Sequence, residues 1–436
     1  MMTANEYRQR RKKLMQQMGN DSIAIICTNR EFTRTQDVDY LFRPDSNFYY
    51  LTGFAEPEAV AVLIPGNTEG EFILFNRPRD SSKEIWQGVR AGQQGAIENF
   101  AADRAFAIDD LATIMPKLFQ GKQKLFYPFG SINHVNADIA AWQNTLRQPV
   151  RAGIATANTH IDVGDIINEM RVIKSVTEIN LLRQAANVNN RAHQRGMQVC
   201  RPGISEIQLS AALNYVYGQH NCLEMAYPPV VASGNNACIL HHLAGEKVLQ
   251  DGELVLIDMG EEYQYYASDV TRTLPVNGKF STEQKAIYEL VLHTQMTVLD
   301  SIKPGIPFNE LQRLAIVTIT EGLLALDLLQ GKRDDLIANK AYTAFYPHNI
   351  SHWLGLDVHD VGAYKINDQW RQLQPGMVIT VEPGIYIQPN NEQVAAKWRG
   401  IGVRIEDDVV VTSNGHENLT AALPKTVQDI ENLMAR

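Results

Sequence analysis

The sequence predicts an α/β (α+β) protein of two domains, spanning residues 1–172 and 173–436. Three observations predict it. Over the first domain, short strand-like runs alternate with helical patterns, the mark of an α/β layer arrangement. At the boundary, Ser175 and Glu178 form a capping box that opens a long helix. Beyond it a twelve-residue pattern occurs twice: Leu249-Gln-Asp-Gly-Glu-Leu-Val-Leu-Ile-Asp258-Met-Gly260 aligns without gaps on Leu373-Gln-Pro-Gly-Met-Val-Ile-Thr-Val-Glu382-Pro-Gly384.

In the first domain, Thr3 and Glu6 cap a helix that runs to Met18. Its basic residues Arg8, Arg10, Arg11, Lys12 and Lys13 read as a solvated helix face. Strands are expected at Ser22–Thr28, Phe48–Leu51, Ala59–Pro65, Phe72–Asn76 and Lys124–Tyr127, and helices at Asp109–Phe119 and Asn133–Leu146. The aromatic segment Phe48, Tyr49, Tyr50 and Phe54 reads as core or interface. No acidic, histidine or cysteine cluster in this domain has ligand spacing.

In the second domain the long helix runs to about Cys200, ended by Pro202-Gly203, and a second spans Ser205–Tyr217. Two more follow, at Thr282–Ser301, closed by Pro304-Gly305, and at Asn309–Leu329. Each copy of the repeat reads as a turn, a buried strand, an acid at the strand's end, then Gly. Each is followed by a strand-like run with its own acid: Tyr266–Leu274 carries Asp269, and Gly402–Val411 carries Glu406. A turn around Glu261–Gln264 makes the first pair a hairpin and brings both acids to one end. Two such halves suggest a pseudo-two-fold core with metals near its axis.

Composition excludes some partners. The net charge of −9 argues against nucleic acid and anionic lipid. No apolar run is long enough to span a membrane. The charged N-terminus lacks the apolar region of a secretory signal, so a cytoplasmic location is expected. Cys27, Cys200, Cys222 and Cys238 show no CxxC spacing and read as reduced thiols, Cys27 and Cys238 in the core.

The chemistry concentrates in Asp258, Asp269, His352, Glu382 and Glu406. Charges set in or at the ends of apolar strands are costly unless something binds them. One imidazole and four carboxylates can hold two hard divalent cations with positions left for water and substrate, which points to metal-assisted hydrolysis. The set suits Mn²⁺, Co²⁺ or Fe²⁺ better than a structural zinc. His348, His352 and His359 fall within twelve residues. His352 reads as the ligand, and the other two as groups for proton transfer and oxyanion stabilisation. His241 follows an apolar run and precedes the first acid strand, which suits a substrate-side role. Arg404 shares a strand face with Glu406 and reads as an orienter of the metal carboxylates, with Tyr386 a further supporting residue. Asp407 and Asp408 read as facing away or binding backbone.

These residues stand in motifs that resemble the pita-bread metallopeptidases, above all the aminopeptidase P family. The motifs are Leu-Ile-Asp258-Met-Gly, Tyr-Ala-Ser-Asp269-Val-Thr-Arg-Thr, Ser351-His352-Trp-Leu-Gly-Leu-Asp-Val-His359-Asp, Val-Glu382-Pro-Gly-Ile-Tyr386 and Gly-Val-Arg404-Ile-Glu406-Asp-Asp. Tyr50-Leu-Thr-Gly-Phe54 and Glu84-Ile-Trp86 extend the likeness into the first domain.

The resemblance implies a creatinase-like N-terminal domain and a pita-bread domain with a curved antiparallel sheet flanked by helices. It implies two Mn²⁺ ions, other divalent metals being possible. Asp258 would chelate one ion, His352 and Glu382 the other, with Asp269 and Glu406 bridging. Glu382 would be the general base. His241 and His359 would contact substrate or steady the tetrahedral intermediate, with Tyr386 beside them. His348 would line the proline pocket, and Arg151 would reach the substrate. Homotetramers are implied, in which Trp86 reaches a neighbour's active site. The implied activity is release of the N-terminal residue from peptides with proline second. A prolidase acting only on Xaa-Pro dipeptides is the alternative. Against a non-catalytic relative or a metal-free creatinase stands the complete five-residue set. One departure is Asn349, where the family has a small residue, often Gly. Asn tolerates left-handed backbone, so the loop is expected to be kept.

Overall fold

Three fully buried strands form the centre of the first sheet: β1 (Ser22–Cys27), β2 (Val60–Leu63) and β3 (Phe72–Asn76). The computed structural model describes residues 2–129, 135–148 and 153–435, and it divides into two units, residues 1–170 and 171–436. In the first unit β4 (Arg104–Ala107), β5 (Lys124–Tyr127) and β6 (Thr159–Asp162) complete a six-stranded sheet ordered β4-β3-β2-β1-β5-β6. Pairs β1–β2 and β2–β3 are antiparallel; β1–β5, β3–β4 and β5–β6 are parallel. Central strands buried on both faces explain the near-continuous apolar runs, since neither face has water to meet.

Two expectations fail here, for one connected reason. Phe48–Leu51 lies not in a strand but inside helix α2 (Ser46–Thr52). Asp45 caps this helix, its carboxylate accepting from the Phe48 N–H at 2.8 Å, and Gly53 closes it at φ 67°. The cap overrides the strand preference of the aromatic residues. Nor is the basic face of helix α1 (Ala4–Met18) wholly solvated. Arg8, Lys12 and Lys13 are exposed, but Arg10 and Arg11 are buried. They donate to the carbonyls of Tyr50 (3.0 Å) and Leu51 (2.9 Å), groups that the end of α2 leaves without helical partners.

The second unit sets helices α3 (Val176–Val199), α4 (Glu206–Gln219), α5 (Thr282–Ser301) and α6 (Phe308–Ala325) around short antiparallel strands. Capping boxes start three of them, at Ser175, Ser205 and Ser281. One sheet has β8 (Leu254–Asp258) between β7 (Val230–Ser233) and β9 (Thr271–Pro275). A second has β13 (Asp407–Val411) between β10 (Val378–Val381) and β14 (His416–Asn418), with β11 (Gly384–Tyr386) and β12 (Gly402–Arg404) as a separate ribbon. The two copies of the repeat are thus β8 and β10, each paired with the strand that follows its second acid. The expected hairpin forms, but its tight turn falls at Gln264-Tyr265, both left-handed (φ 52° and 69°), as a two-residue hairpin loop requires.

Strand alternation decides where the acids point. Val255, Ile257, Ile379, Val381, Val409 and Val411 pack into the main core with residues of α4, α5 and α6. Each such buried aliphatic side chain contributes about 1.5–3 kcal/mol. The alternate positions face the other way, and Asp258, Glu382 and Glu406 belong to that alternate set. Asp407, one residue out of step with Glu406, falls on the helix side. There it meets Arg272 at 2.7 Å and Lys425 at 2.6 Å, a fully buried ion pair with one further cation. Asp408 accepts from Ser268 Oγ (2.9 Å) and the Asp269 N–H, the backbone role expected of it. Gly260, closing the first repeat copy, lies so near the Ser268 carbonyl that a Cβ there has no room. Among the described residues, no helix is long and apolar enough to cross a membrane. All four cysteines are buried.

Candidate metal centre

A cavity of about 1070 Å³ opens in the second unit. Its lining includes Asp258, Asp269, His352, Glu382, Glu406 and Arg404, together with His241, His348 and His359. Residues far apart in sequence therefore meet here, and each arrives for a local reason.

Asp258 and Asp269 come from the two arms of the first hairpin at its turn end, Asp258 facing Thr271 across the ladder. Glu382 and Glu406 occupy the matching corners of the second. His352 is carried by a segment running beside β10. The Glu382 N–H donates to the Ile350 carbonyl (2.9 Å), the Thr380 N–H to His352 (3.0 Å) and the Leu354 N–H to Val378 (3.0 Å). The His352 ring donates from Nδ1 to the Trp353 carbonyl at 2.9 Å. That bond leaves Nε2 directed at Asp269 Oδ2 (3.3 Å) and Glu382 Oε1 (3.6 Å). Ligand atoms of Asp269, His352 and Glu406 all lie within 4.8 Å of one another.

The electrostatics describe a site in need of positive charge. Burial pushes the Asp258 carboxyl up, against the pull of Arg404 and with the push of Asp269. Burial and the charges of Asp269, Glu382 and Asp258 hold the Glu406 carboxyl well above the carboxylate range. Burial raises Glu382 to about 7, with His352 opposing and Asp269 adding to the rise. Burial alone would lower His352, but its bond to Asp269 and the nearby Glu382 charge prevail and raise it to about 9. Asp258 Oδ1 is buried with no protein donor. Four crowded carboxylates, an imidazole with a directed lone pair and an unsatisfied carboxylate oxygen fit divalent cations.

Arg404, 4% exposed, organises the rear of the site. It donates to Asp258 Oδ2 at 2.5 Å, to Tyr386 Oη at 2.8 Å and to Thr271 Oγ1 at 3.2 Å. Tyr386 in turn donates to His348 Nε2 at 2.9 Å, and His348 Nδ1 donates to the Asn349 carbonyl at 2.8 Å. This chain fixes one neutral tautomer of His348; burial, then Arg404, lowers its pKa to about 4. His359 sits edge-on to His352, ring centroids 4.3 Å apart, and burial and the His352 charge lower its pKa. The next residue, Asp360, is locked to Arg171 (2.5 Å) and Lys174 (2.9 Å). His241 is exposed to the cavity. Asn349 also lines it, but among the described residues the positive-φ positions do not include Asn349, so left-handed tolerance is not what keeps this loop.

Among the predicted residues that are described, Trp86 does not line this cavity. Trp86 lies in the first unit on a short helix, Ser81–Gln87, and is 87% exposed. Arg151 lies outside the described residues. Three functional neighbours escape the sequence reading. Tyr227 donates to Asp269 Oδ1 at 2.7 Å, Thr271 to Glu406 Oε2 at 2.7 Å, and Thr380 to Glu382 Oε1 at 3.3 Å. The threonines carry a signal in hindsight: each is two positions from an acid and shares its strand face. Tyr227 carries none.

The profile of Metallopeptidase family M24 matches residues 180–413, and that of the aminopeptidase P N-terminal domain matches residues 7–127. The chain is 43% identical over 434 residues to a Xaa-Pro aminopeptidase of Escherichia coli (strain K12), covering 99% of this chain and 98% of the relative. It is 35% identical to a human Xaa-Pro aminopeptidase 3, over 99% of this chain and 86% of that protein. Among solved structures, the Pseudomonas aeruginosa aminopeptidase PepP is 50% identical with a TM-score of 0.98, covering 100% of this chain and 98% of the other.

Proposed function

The chain belongs to metallopeptidase family M24, and from that premise we propose that it is a Xaa-Pro aminopeptidase, releasing the N-terminal residue of peptides whose second residue is proline. The observation that carries the reading is similarity to such enzymes along 99% of the chain, in both domains. A human Xaa-Pro dipeptidase is a more distant relative, at 32% identity over 95% of this chain, so dipeptidase activity is the second reading.

In this reading Asp258, Asp269, His352, Glu382 and Glu406 hold two divalent cations, Mn²⁺ for preference. Bound metal supplies Lewis acidity at the scissile carbonyl and acidifies water. The chain's own groups do the rest. Glu382 takes the proton of the attacking water, its carboxylate facing the cavity beside the other ligand acids. His241 and His359, both facing the cavity, donate to the oxyanion and attend the leaving proline nitrogen, which departs as a secondary amine. His348, held neutral between Tyr386 and Asn349, walls the proline pocket without bringing charge to it. Arg404 favours the ionised form of Asp258 against its burial and orients it. Tyr386 reaches the substrate side through His348. A homotetramer, with Trp86 and Arg151 serving substrate, and a cytoplasmic location complete the proposal.

The test is product analysis with Mn²⁺ present, offering Arg-Pro-Pro, Ala-Pro and Ala-Ala-Ala in parallel. Release of free Arg from the tripeptide, with little cleavage of the others, is expected. Cleavage of Ala-Pro alone would move the protein to the dipeptidases. Cleavage of none by metal-loaded protein would remove the enzyme reading.

A further inference from the structure

His241 faces the cavity from a stretch that follows β7 and holds a short 3₁₀ turn, Gly234–Cys238, and an isolated bridge from Leu243 back to Val230. Around His241 its own backbone bonds are few, the His242 N–H to Ile239 (3.1 Å) and the Ala244 N–H to Pro229 (3.1 Å). A buried anchor outside the stretch, the first residue of α4, joins its two ends. Glu206 is fully buried, and its carboxylate collects donors from both ends of the stretch. Oε1 accepts from the Ser233 N–H (2.8 Å), Ser233 Oγ (2.9 Å) and Asn236 Nδ2 (2.9 Å). Oε2 accepts from His242 Nε2 (2.9 Å) and the Gly245 N–H (3.3 Å). The backbone repeats the pattern, with the Glu206 N–H donating to Lys247 and the Ile207 N–H to Gly245.

We propose that Glu206 is a positioning residue for His241, clamping the segment from Ser233 to Gly245 so that His241 is held at the substrate. This rests on the peptidase reading above. The neighbour of His241 in sequence, His242, is bonded directly to the clamp, so freedom there becomes freedom at His241. Burial would raise the Glu206 carboxyl, yet the bonds from Ser233, His242 and Asn236 outweigh it and hold the group below the ordinary range. It is therefore an anion at working pH, and charge-assisted bonds of this kind are the stronger class. Glutamine keeps the shape but turns an amide N–H₂ toward donors on one side, breaking the clamp at one end.

The experiment is a double-mutant cycle on the Mn²⁺-loaded full chain with Arg-Pro-Pro, using wild type, Glu206→Gln, His241→Ala and the double variant. Glu206→Gln lowers kcat/KM by about tenfold or more, as small misplacements of catalytic groups do, while bound metal per chain stays at the wild-type value. In the His241→Ala background the same change costs less than about twofold, because its target is already gone. Amide exchange at Ser233 and Gly245 accelerates in Glu206→Gln. An equal factor in both backgrounds, or unchanged kcat/KM, overturns the proposal. Should Glu206→Gln not fold, His242→Ala takes its place, with His242→Gln, which keeps a donor, restoring activity; no rescue overturns the proposal equally. A wild type that cleaves no Xaa-Pro peptide sinks the peptidase reading instead, and the exchange rates still report whether Glu206 holds the segment.

Discussion

Removing metal should make this protein's stability fall with pH over a defined window, and His352 sets much of its size. In the metal-free fold its pKa is raised from 6.5 to about 9, because Asp269 and Glu382 outweigh burial. A basic group whose folded pKa lies above its unfolded value stabilises the fold fully below the unfolded value and loses that contribution as pH rises through the folded one. The shift is 9 − 6.5 = 2.5, which at 1.36 kcal/mol per pKa unit is roughly 3 kcal/mol. The metal-free protein therefore loses roughly 3 kcal/mol between about pH 6.5 and about pH 9. Other groups of the site act in the same direction: burial raises Glu382 to about 7 and lifts Glu406 and Asp258 as well, and acids raised on folding also lose stability as pH rises, so they add to the fall and do not oppose it. His193 and His348, held neutral by burial, cost stability only below about pH 6.5. Cys222 and Cys238, pushed up to about 12 and about 11, matter only above the window. At roughly 2 °C per kcal/mol for a domain of the second unit's size, the melting temperature falls by about 6 °C. Bound metal needs the neutral imidazole, so it displaces this proton, and the loaded protein should show no such fall. The assay is denaturant unfolding of chelator-treated and Mn²⁺-loaded protein across the window. Parallel curves for the two forms would refute the reasoning.

Two further predictions concern single residues. Glu406→Ala, removing a carboxylate within 4.8 Å of both Asp269 and His352 ligand atoms, should abolish tight metal uptake and turnover together; full activity, with metal counted by elemental analysis, would sink its assignment as a bridge. Arg404→Met strips the buried Asp258 of its cation and should destabilise the metal-free protein by about 3–5 kcal/mol, with part of the loss recovered on adding Mn²⁺. An unchanged denaturation midpoint would show that Asp258 does not depend on the guanidinium.

The convergence of the four acids was legible because a turn, an apolar strand and a terminal acid are local patterns, and a duplicated local pattern displays its own symmetry. Alternation then orients Asp258 and Glu406 without further help. What depends on contacts between distant residues was not legible. Tyr227 reaches Asp269 across 42 positions, and nothing around Tyr227 announces it. Arg10 and Arg11 look like solvated charges until α2 is seen to end over them. Phe48–Leu51 has strand composition, yet one aspartate at the cap decides for helix. The edge strands β4 and β6 are only partly buried and carry too little apolar pattern to be seen. Glu206 resembles any first-turn glutamate until the five donors around it are counted.

The duplicated hairpins also constrain the order of assembly. The bonds that join the two halves are all long-range: Thr271 to Glu406 spans 135 positions, Asp269 to Asp408 139, and Arg404 to Asp258 146. Closing loops of that length carries an entropic cost that must be met before any cross-half contact forms, and high contact order slows folding. Each hairpin, by contrast, can form within its own stretch of chain. A cation meeting the nascent chain finds at most one pair of acids, since the partner pair is still to be synthesised or still undocked. On that order of assembly the full set of ligands exists only once the two halves have docked, so the seam between them is where a bound cation adds its grip.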